Sequence, residues 1–235
     1  TYDPNQYGRY LNEGHFDYLY DKVGLYDTLR KVVTHKCNTG DICHSWQSLN
    51  GHKEQMLNFM ENHDEHRIGS IFFADDAIKG RPAMLVSATI SQGPVMVYSG
   101  QEFGEQAMDC ERFSGPDGRT NIFDYWAVKS VQRWINNGKY NEEKLTAHEK
   151  HIYNFYKKLL NLCITEKALS EGDFFDLMYV NYHNPELNSA RQYAYMRKAG
   201  KEVLLIVANF DDNDANIKLN IPQHAFDYFN IQIGK

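Results

Sequence analysis

A long apolar run, a basic excess and a cysteine framework are all missing from these 235 residues. No apolar stretch approaches the roughly 18 residues that cross a bilayer as a helix. The opening residues, TYDPNQYGRY, lack the charged start and apolar centre of a signal peptide. A soluble chain with no membrane partner is the expectation. The formal net charge is -6 and the pI is near 5.9. This removes the basic footprint of a nucleic-acid binder, so no nucleic-acid partner is expected either. Cys37, Cys43, Cys110 and Cys163 are too few and too scattered for a secreted disulfide scaffold. Reduced thiols, and with them a cytoplasmic setting, are expected. Repeats and low-complexity segments are absent, and the length suffices for one large domain or a medium domain with a small companion.

Aromatic rings, in contrast, are abundant: 16 Tyr, 13 Phe and 3 Trp. They fill cores, and they also offer flat faces to the C–H faces of sugars. From the N-terminus, Asn5 to Asn12 reads as a short helix closed by Gly14, and His15 to Asp21 alternates like a strand with Phe16, Tyr18 and Tyr20 on one face. Leu25, Leu29, Val32 and Val33 at helical spacing predict a helix over Leu25 to Val33. Thr34 to Ser45 reads as a polar loop. Its His35, Cys37, Cys43 and His44 have zinc-ligand chemistry, but the Cys37 to Cys43 gap exceeds the spacing of zinc knuckles, so ordinary loop chemistry is favoured and no metal or cofactor is assigned.

Trp46 to Gln55 is weakly helical, Met56 to Glu61 is a second strand, and Ile68 to Asp75 a short helix. Arg81-Pro82 opens an apolar helix over Ala83 to Ser91 with Gly93 just beyond it, and Pro94 to Tyr98 is a third strand. Glu105 to Tyr125, holding Gly115, Pro116 and Gly118, reads as a long surface excursion over a cleft. Helical turns are expected around Trp126, Val131 and Trp134. Thr146 to Cys163 is the clearest helix, its stripe formed by Ile152, Phe155, Tyr156, Leu159 and Cys163. The period then becomes alternating, which predicts strands at Asp173 to Tyr182, Arg191 to Arg197, Glu202 to Phe210 and Ala215 to Ile221, with a further one in Phe226 to Ile233. Three strand-helix units over 1–164 and an antiparallel β unit over 165–235 are the expected organisation.

The stretch that carries chemistry is Met56 to Arg67, MLNFMENHDEHR. An apolar run delivers Asn62, His63 and Asp64 at its end, where barrels and open α/β sheets place acids, bases and hydrogen-bonding groups. Taken alone, Asp64 reads as a helix cap or turn residue. Four features in order give it another reading: HFDYLYDK at 15–22, FMENHD at 59–64, Arg67, and GPVMVYSGQE at 93–102. Together they resemble the sixth, seventh and eighth barrel strands of the alpha-amylase family of glycoside hydrolases, over nearly the whole chain.

The resemblance implies an α/β plus β fold: the C-terminal half of a (β/α)8 TIM barrel followed by an antiparallel β-sandwich. It implies that Asp64 is the family's transition-state-stabilising carboxylate, that His63 hydrogen-bonds the same sugar, and that Arg67 belongs with them at the substrate. Hydrogen bonds to ring hydroxyls that strengthen as the ring approaches an oxocarbenium ion lower the barrier. Gln101 and Glu102 stand where they either line the site floor or hold the strand end, Tyr98 is a sugar platform or core, and Glu65 and His66 read as exposed loop residues.

One departure from the family is large. Retaining glycosidases need a nucleophile and an acid/base carboxyl about 5 to 5.5 Å apart. The family keeps them on the fourth and fifth strands, and no Gly-x-Arg-x-Asp segment, its nucleophile pattern, occurs in this chain. Thr1-Tyr2-Asp3-Pro4 resembles the loop after the fifth strand. The expectation is a C-terminal part of a longer enzyme acting on α-linked glucosides by hydrolysis or transfer, inactive by itself. Its α-glucan or oligosaccharide substrate would be joined as partner by the missing barrel half, or by a second copy in a swapped dimer. The alternative is a non-catalytic glycan-binding or interaction module with a degenerate glycosidase fold.

Overall fold

The computed structural model describes residues 3–109, 115–124, 126 and 128–232. Its first half is organised by three short parallel strands, β1 (Leu19–Tyr20), β2 (Met56–Phe59) and β3 (Val95–Met96), in the order β1-β2-β3. The register pairs Leu19 with Met56, Tyr20 with Leu57, Asn58 with Val95 and Phe59 with Met96. Consecutive strands therefore lie side by side, as strand-helix-strand units require. Helix α1 (Tyr7–Asn12) precedes β1. Helices α2 (Asp27–Val33) and α3 (Gly40–Gln47) connect β1 to β2, and α4 (Arg81–Thr89) connects β2 to β3.

Apolar burial explains this order. Phe59 and Met60 are almost wholly buried in one core cluster with Leu29 and Val32 of α2 and Ala83, Met84 and Val86 of α4, whereas the equally buried Met56 packs in a smaller cluster with Tyr7, Leu11 and Leu49. The Phe59 ring stacks on Tyr26 at 4.9 Å and meets Tyr20 edge-on at 5.1 Å, so aromatic packing fixes the middle strand against its neighbour.

After β3 come α5 (Lys129–Ile135) and α6 (Ala147–Thr165). The expected stripe of α6 holds: Ile152, Tyr156 and Leu159 are buried and Phe155 and Cys163 pack against the core. Its start is fixed by a capping box, with the Glu149 N–H donating to Thr146 Oγ1 (3.2 Å) and the Thr146 N–H to Glu149 Oε2 (2.8 Å). The chain then runs through α7 (Lys167–Ser170), β4 (Asp173–Asp176), α8 (Met178–Asn181), β5 (Gln192–Ala199), β6 (Glu202–Asn209) and α9 (Gln223–Tyr228). Strands β4, β5 and β6 form an antiparallel sheet in sequence order.

Several expected elements come out differently. The strand over His15 to Asp21 shrinks to β1, because His15 takes a left-handed φ of 54° and only Leu19 and Tyr20 find a partner on β2. The polar loop over Thr34 to Ser45 contains α3, which inserts Ile42 and Ser45 into buried positions. The weak helix after Trp46 ends at Asn50 and Gly51, both with positive φ. Ile68 to Asp75 forms turns instead of a helix: the Phe73 and Asp75 N–H groups both bond Ser70 O, and Asp75 has φ 63°.

In the C-terminal part, β4 stops at Asp176, whose Oδ1 accepts the Met178 N–H (2.7 Å) and turns the chain into α8. Ala215 to Ile221 has no strand ladder, being held by the Lys218 N–H to Glu186 O (3.2 Å) and the Asn220 N–H to Asn181 Oδ1 (2.9 Å). Of the strand expected over Phe226 to Ile233, the first residues instead complete α9, and Ile233 lies outside the described residues. Among the described residues the antiparallel part is one three-stranded sheet, with no second sheet facing it to make a sandwich.

One core serves both sheets: Phe59, Leu29 and Ile152 belong to the same buried cluster as Tyr193, Tyr195 and Ile206. The fully buried Arg197 of β5 fastens the sheet to its helices, donating to Thr89 O (2.8 Å), Leu169 O (3.0 Å) and Gly172 O (2.8 Å). No helix among the described residues is long and apolar enough to cross a membrane.

Candidate active site

The end of β2 sorts its residues by burial within a few positions. Phe59, Met60, Glu61 and Asn62 are buried, His63 and Asp64 are exposed, and Arg67 is buried again. Asn62 makes this turn: its Oδ1 accepts the N–H of Asp64 (2.8 Å) and of Glu65 (2.9 Å). A short amide side chain bonding the backbone two and three residues on is the usual Asx device for turning a chain sharply. Asn62 thus takes the capping role that Asp64 would have had in the plain reading, which leaves the Asp64 carboxylate projecting. Its Oδ2 lies 3.4 Å from His63 Nε2, with both side chains more than half exposed.

His63 and Asp64 face a cleft of about 570 Å³. Tyr7, Tyr10, Phe16, Tyr18 and Tyr20 supply its aromatic walls, while Lys22 and Asn62 add polar groups. The alternating aromatics of 16–20, expected on a strand face, are therefore presented from a loop and the short β1. Tyr18 and Tyr20 are each about half exposed. Asp64 is the one carboxylate among the described residues that line this cleft.

Arg67 is elsewhere. It is 0% exposed and lies behind the turn. Its guanidinium donates to Glu61 Oε2 (2.6 Å), Thr120 Oγ1 (3.0 Å) and Ser99 O (2.8 Å), and it sits 4.5 Å over the Tyr98 ring. Each of its three nitrogens is engaged inside the protein and none reaches the cleft lining, so the structure gives Arg67 a positioning place instead of the substrate contact expected for it. Glu61 is equally buried and also accepts the Ile68 N–H (2.8 Å). Burial pushes its carboxyl up, opposed by the Arg67 guanidinium and the Ile68 N–H. The group ties the end of β2 to the end of β3 and to the excursion, whose Thr120 and Asp124 turn inward. Residues 110–114 and 125 of that excursion lie outside the described residues.

Glu65, expected as an exposed loop residue, is also a tie. Its carboxylate accepts from Tyr26 Oη (3.1 Å) and Arg30 Nη1 (3.2 Å) and lies 3.2 Å from Lys22 Nζ, itself 3.0 Å from Asp27. It thus anchors the catalytic-looking turn to α2 and holds Lys22 at the cleft. His66 packs on Phe72 and accepts from Arg30 Nη2 (2.9 Å); burial and the nearby Arg119 and Arg30 charges lower its pKa.

Gln101 and Glu102 hold the end of β3. The Gln101 amide accepts from the Tyr98 N–H (3.0 Å) and donates to Tyr156 Oη (2.9 Å), and Glu102 accepts the Gly100 N–H (2.9 Å). The Tyr98 hydroxyl donates to Thr120 O (2.7 Å), so the ring is part of the packing behind the turn.

Asp21 closes β1 as a 2%-exposed carboxyl that burial raises to about 6, with the Gly24 and Leu25 backbone opposing. It escaped the sequence reading, although an aspartate ending an aromatic strand before Lys-Val-Gly was visible. Gly24 leaves room for this carboxyl, because a Cβ on it would come within 2.2 Å of Asp21 Oδ1 and displace it. Among the described residues no three metal-ligating side chains converge; of the four residues with zinc-ligand chemistry, Cys43 Sγ donates instead to Asp176 Oδ2 (3.2 Å).

This geometry can bind a neutral polyhydroxylated ring: aromatic walls for its faces, and an imidazole, an ammonium and a carboxylate for its hydroxyls. A sequence model of the alpha-amylase catalytic domain matches residues 22–172, well over half of the chain. The chain belongs to the alpha-amylase family. Alpha-amylase 2 of Dictyoglomus thermophilum is 21% identical over 171 residues, covering 72% of this chain and 25% of that protein.

Among solved structures, the noncanonic maltogenic alpha-amylase AmyB from Thermotoga neapolitana superposes with a TM-score of 0.55 at 19% identity, over 89% of this chain and 40% of that one. The cyclomaltodextrin glucanotransferase CldA gives 0.51 at 19% identity, over 80% and 32%. These likenesses show the fold, part of an alpha-amylase-type barrel. The alpha-amylase-family chain described here spans a quarter of the length of its curated relative and under half of these structures.

Proposed function

We propose that this chain supplies the substrate-gripping part of an enzyme that cleaves or transfers α-linked glucosides through a covalent glycosyl intermediate. In this role Asp64 stabilises the transition state and His63 hydrogen-bonds the same sugar. The observation that carries the reading is the pair itself: two adjacent, exposed side chains at the C-terminal end of the middle parallel strand, facing a cleft with aromatic walls. Family membership and the glycosidase and glucanotransferase folds around it support the same substrate class.

The two remaining carboxylates of a retaining mechanism would come from a barrel half of the kind the longer relatives contain, or from a second copy in a swapped arrangement. A lone carboxylate cannot be both nucleophile and acid, so the 235 residues alone are read as inactive. Their three described free thiols fit a reducing, cytoplasmic setting.

The test is turnover of maltoheptaose. The chain alone should release no reducing ends above background. The chain joined to a barrel half bearing the two missing carboxylates should release them, and should bind without turnover when either of those carboxylates is removed. Robust turnover by the isolated chain would defeat the proposal, and so would an assembled barrel that stays inactive.

A further inference from the structure

A second cavity, of about 890 Å³, is larger than the Asp64 cleft and sits at the opposite end of the parallel strands. Its lining residues Lys53 and Glu54 stand just before β2 and Gln92 just before β3, whereas His63 and Asp64 follow β2. Its other walls come from α3, β4, α8 and α9, so the C-terminal sheet and the barrel part build it jointly.

Three tyrosines on its wall, Tyr179, Tyr182 and Tyr228, keep 57%, 52% and 53% of their surface in solvent. Three large rings left half open around one cavity form a patch that a monomer does not need for its own core. Deeper in the wall, Trp46 meets Phe174 edge-on at 5.3 Å, and the Trp46 indole N–H is buried with no acceptor among the described residues.

The polar inventory narrows the ligand. Lys53, the cavity's one lysine, is used internally: its Nζ donates to Ile90 O (2.9 Å), pairs with Glu54 (3.2 Å) and lies 4.0 Å over the Phe174 face. The Asp176 carboxylate is likewise occupied by the Tyr193 hydroxyl (2.8 Å), the Cys43 thiol and the Met178 N–H. The side chains of His44, Gln47 and Asp173 make no hydrogen bond to another described residue. The wall therefore offers no uncommitted ammonium or guanidinium to an anion such as phosphate. What it offers is half-exposed tyrosine rings beside an imidazole, an amide and a carboxylate, which suits a neutral ligand with apolar faces and many hydroxyls.

We propose that this cavity is a second, non-catalytic binding site for an α-glucan chain, separate from the Asp64 cleft. The inference rests on the reading of α-glucan as the substrate. A polymer held at the far end of the barrel stays at high effective concentration near the cleft, so a modest site raises overall attachment without new contacts at Asp64.

Native electrophoresis of the 235-residue chain through gels containing soluble starch tests it. Wild type should be retarded. Tyr179→Ala/Tyr182→Ala should weaken the apparent affinity about tenfold, the order expected for two lost ring faces. Tyr179→Phe/Tyr182→Phe, which keeps the faces, should stay within about twofold of wild type on the same scale. Asp64→Asn should remain retarded. Both tyrosines are half exposed, and unchanged far-ultraviolet circular dichroism confirms that the variants fold.

A double alanine variant whose apparent affinity stays within about twofold of wild type overturns the proposal. Retardation lost in Asp64→Asn but kept in the tyrosine variant also overturns it, while supporting sugar binding at the cleft. A wild-type chain that is not retarded at all overturns it too, and leaves the Asp64 reading to the turnover assay.

Discussion

Replacing Arg67 by Met removes the cation from a buried pair and leaves its carboxylate behind. Three hydrogen bonds disappear, to Glu61 (2.6 Å), Thr120 (3.0 Å) and Ser99 (2.8 Å), together with the contact over Tyr98. Breaking a buried pair by deleting one partner costs about 3 to 5 kcal/mol, chiefly because the survivor stays desolvated. Glu61 retains only the Ile68 N–H (2.8 Å), and without Arg67 the burial that already raises its pKa acts with less opposition. A folded-state pKa above the unfolded value means stability that is present at low pH and lost as pH rises through the folded value.

Arg67→Met should therefore cost about 3 to 5 kcal/mol at pH 8, with the deficit shrinking towards pH 5. Arg67→Met/Glu61→Gln should cost about 2 kcal/mol less than the sum of the single changes, because an amide needs no counter-charge. The main-chain bond from the Arg67 N–H to Gly118 O (2.7 Å) survives the change, so the excursion keeps one attachment and a folded variant is expected. Urea unfolding followed by tryptophan fluorescence at the two pH values measures all of this. Single changes that cost under about 1 kcal/mol and add simply in the double variant would refute the reasoning.

Three further outcomes are expected. Asp21, raised by burial to about 6 from an ordinary 3.8, withdraws about 2 kcal/mol of stability as pH rises from 4 towards 7; Asp21→Asn should flatten that slope in denaturation at several pH values, and an unchanged slope would contradict it. Arg197→Lys replaces a planar fork on three carbonyls with a point charge that cannot serve all of them. Chemical unfolding should show a loss of about 2 to 3 kcal/mol, and a neutral result would mean the fork does not fasten the sheet. Thr146→Ala opens the capping box of α6 and should cost about 1 kcal/mol, read as a fall in Tm of about 2 to 4 °C.

Parts of the fold were written locally and could be read. The apolar run into Asn62-His63-Asp64 gave the middle strand and its exposed pair. The helical period gave α6, and alternation on either side of Ala199-Gly200 gave β5 and β6. What failed were short segments whose state depends on a partner. Phe226 to Ile233 alternates like a strand, but α9 forms after Pro222 and packs its Ala225 and Phe229 against the core, while Ala215 to Ile221 finds no ladder. Gly40–Gln47 looks like loop chemistry, and only the pocket awaiting Ile42 makes it a helix.

The exposed places of His63 and Asp64 at the strand end were legible because they follow a buried strand. Arg67, Glu61 and Glu65 were not, since a charged residue in a loop carries no local sign of being buried. Their places are set by Thr120 and Arg30, 53 and 35 residues away in sequence.

In the proposed role Asp64 acts on the transition state and not merely on binding. With the chain assembled into an active barrel, kcat for maltoheptaose should fall about 10²- to 10³-fold in Asp64→Asn while KM changes little, as for loss of one transition-state partner. A variant with kcat near that of the unaltered enzyme and only a raised KM would contradict the account.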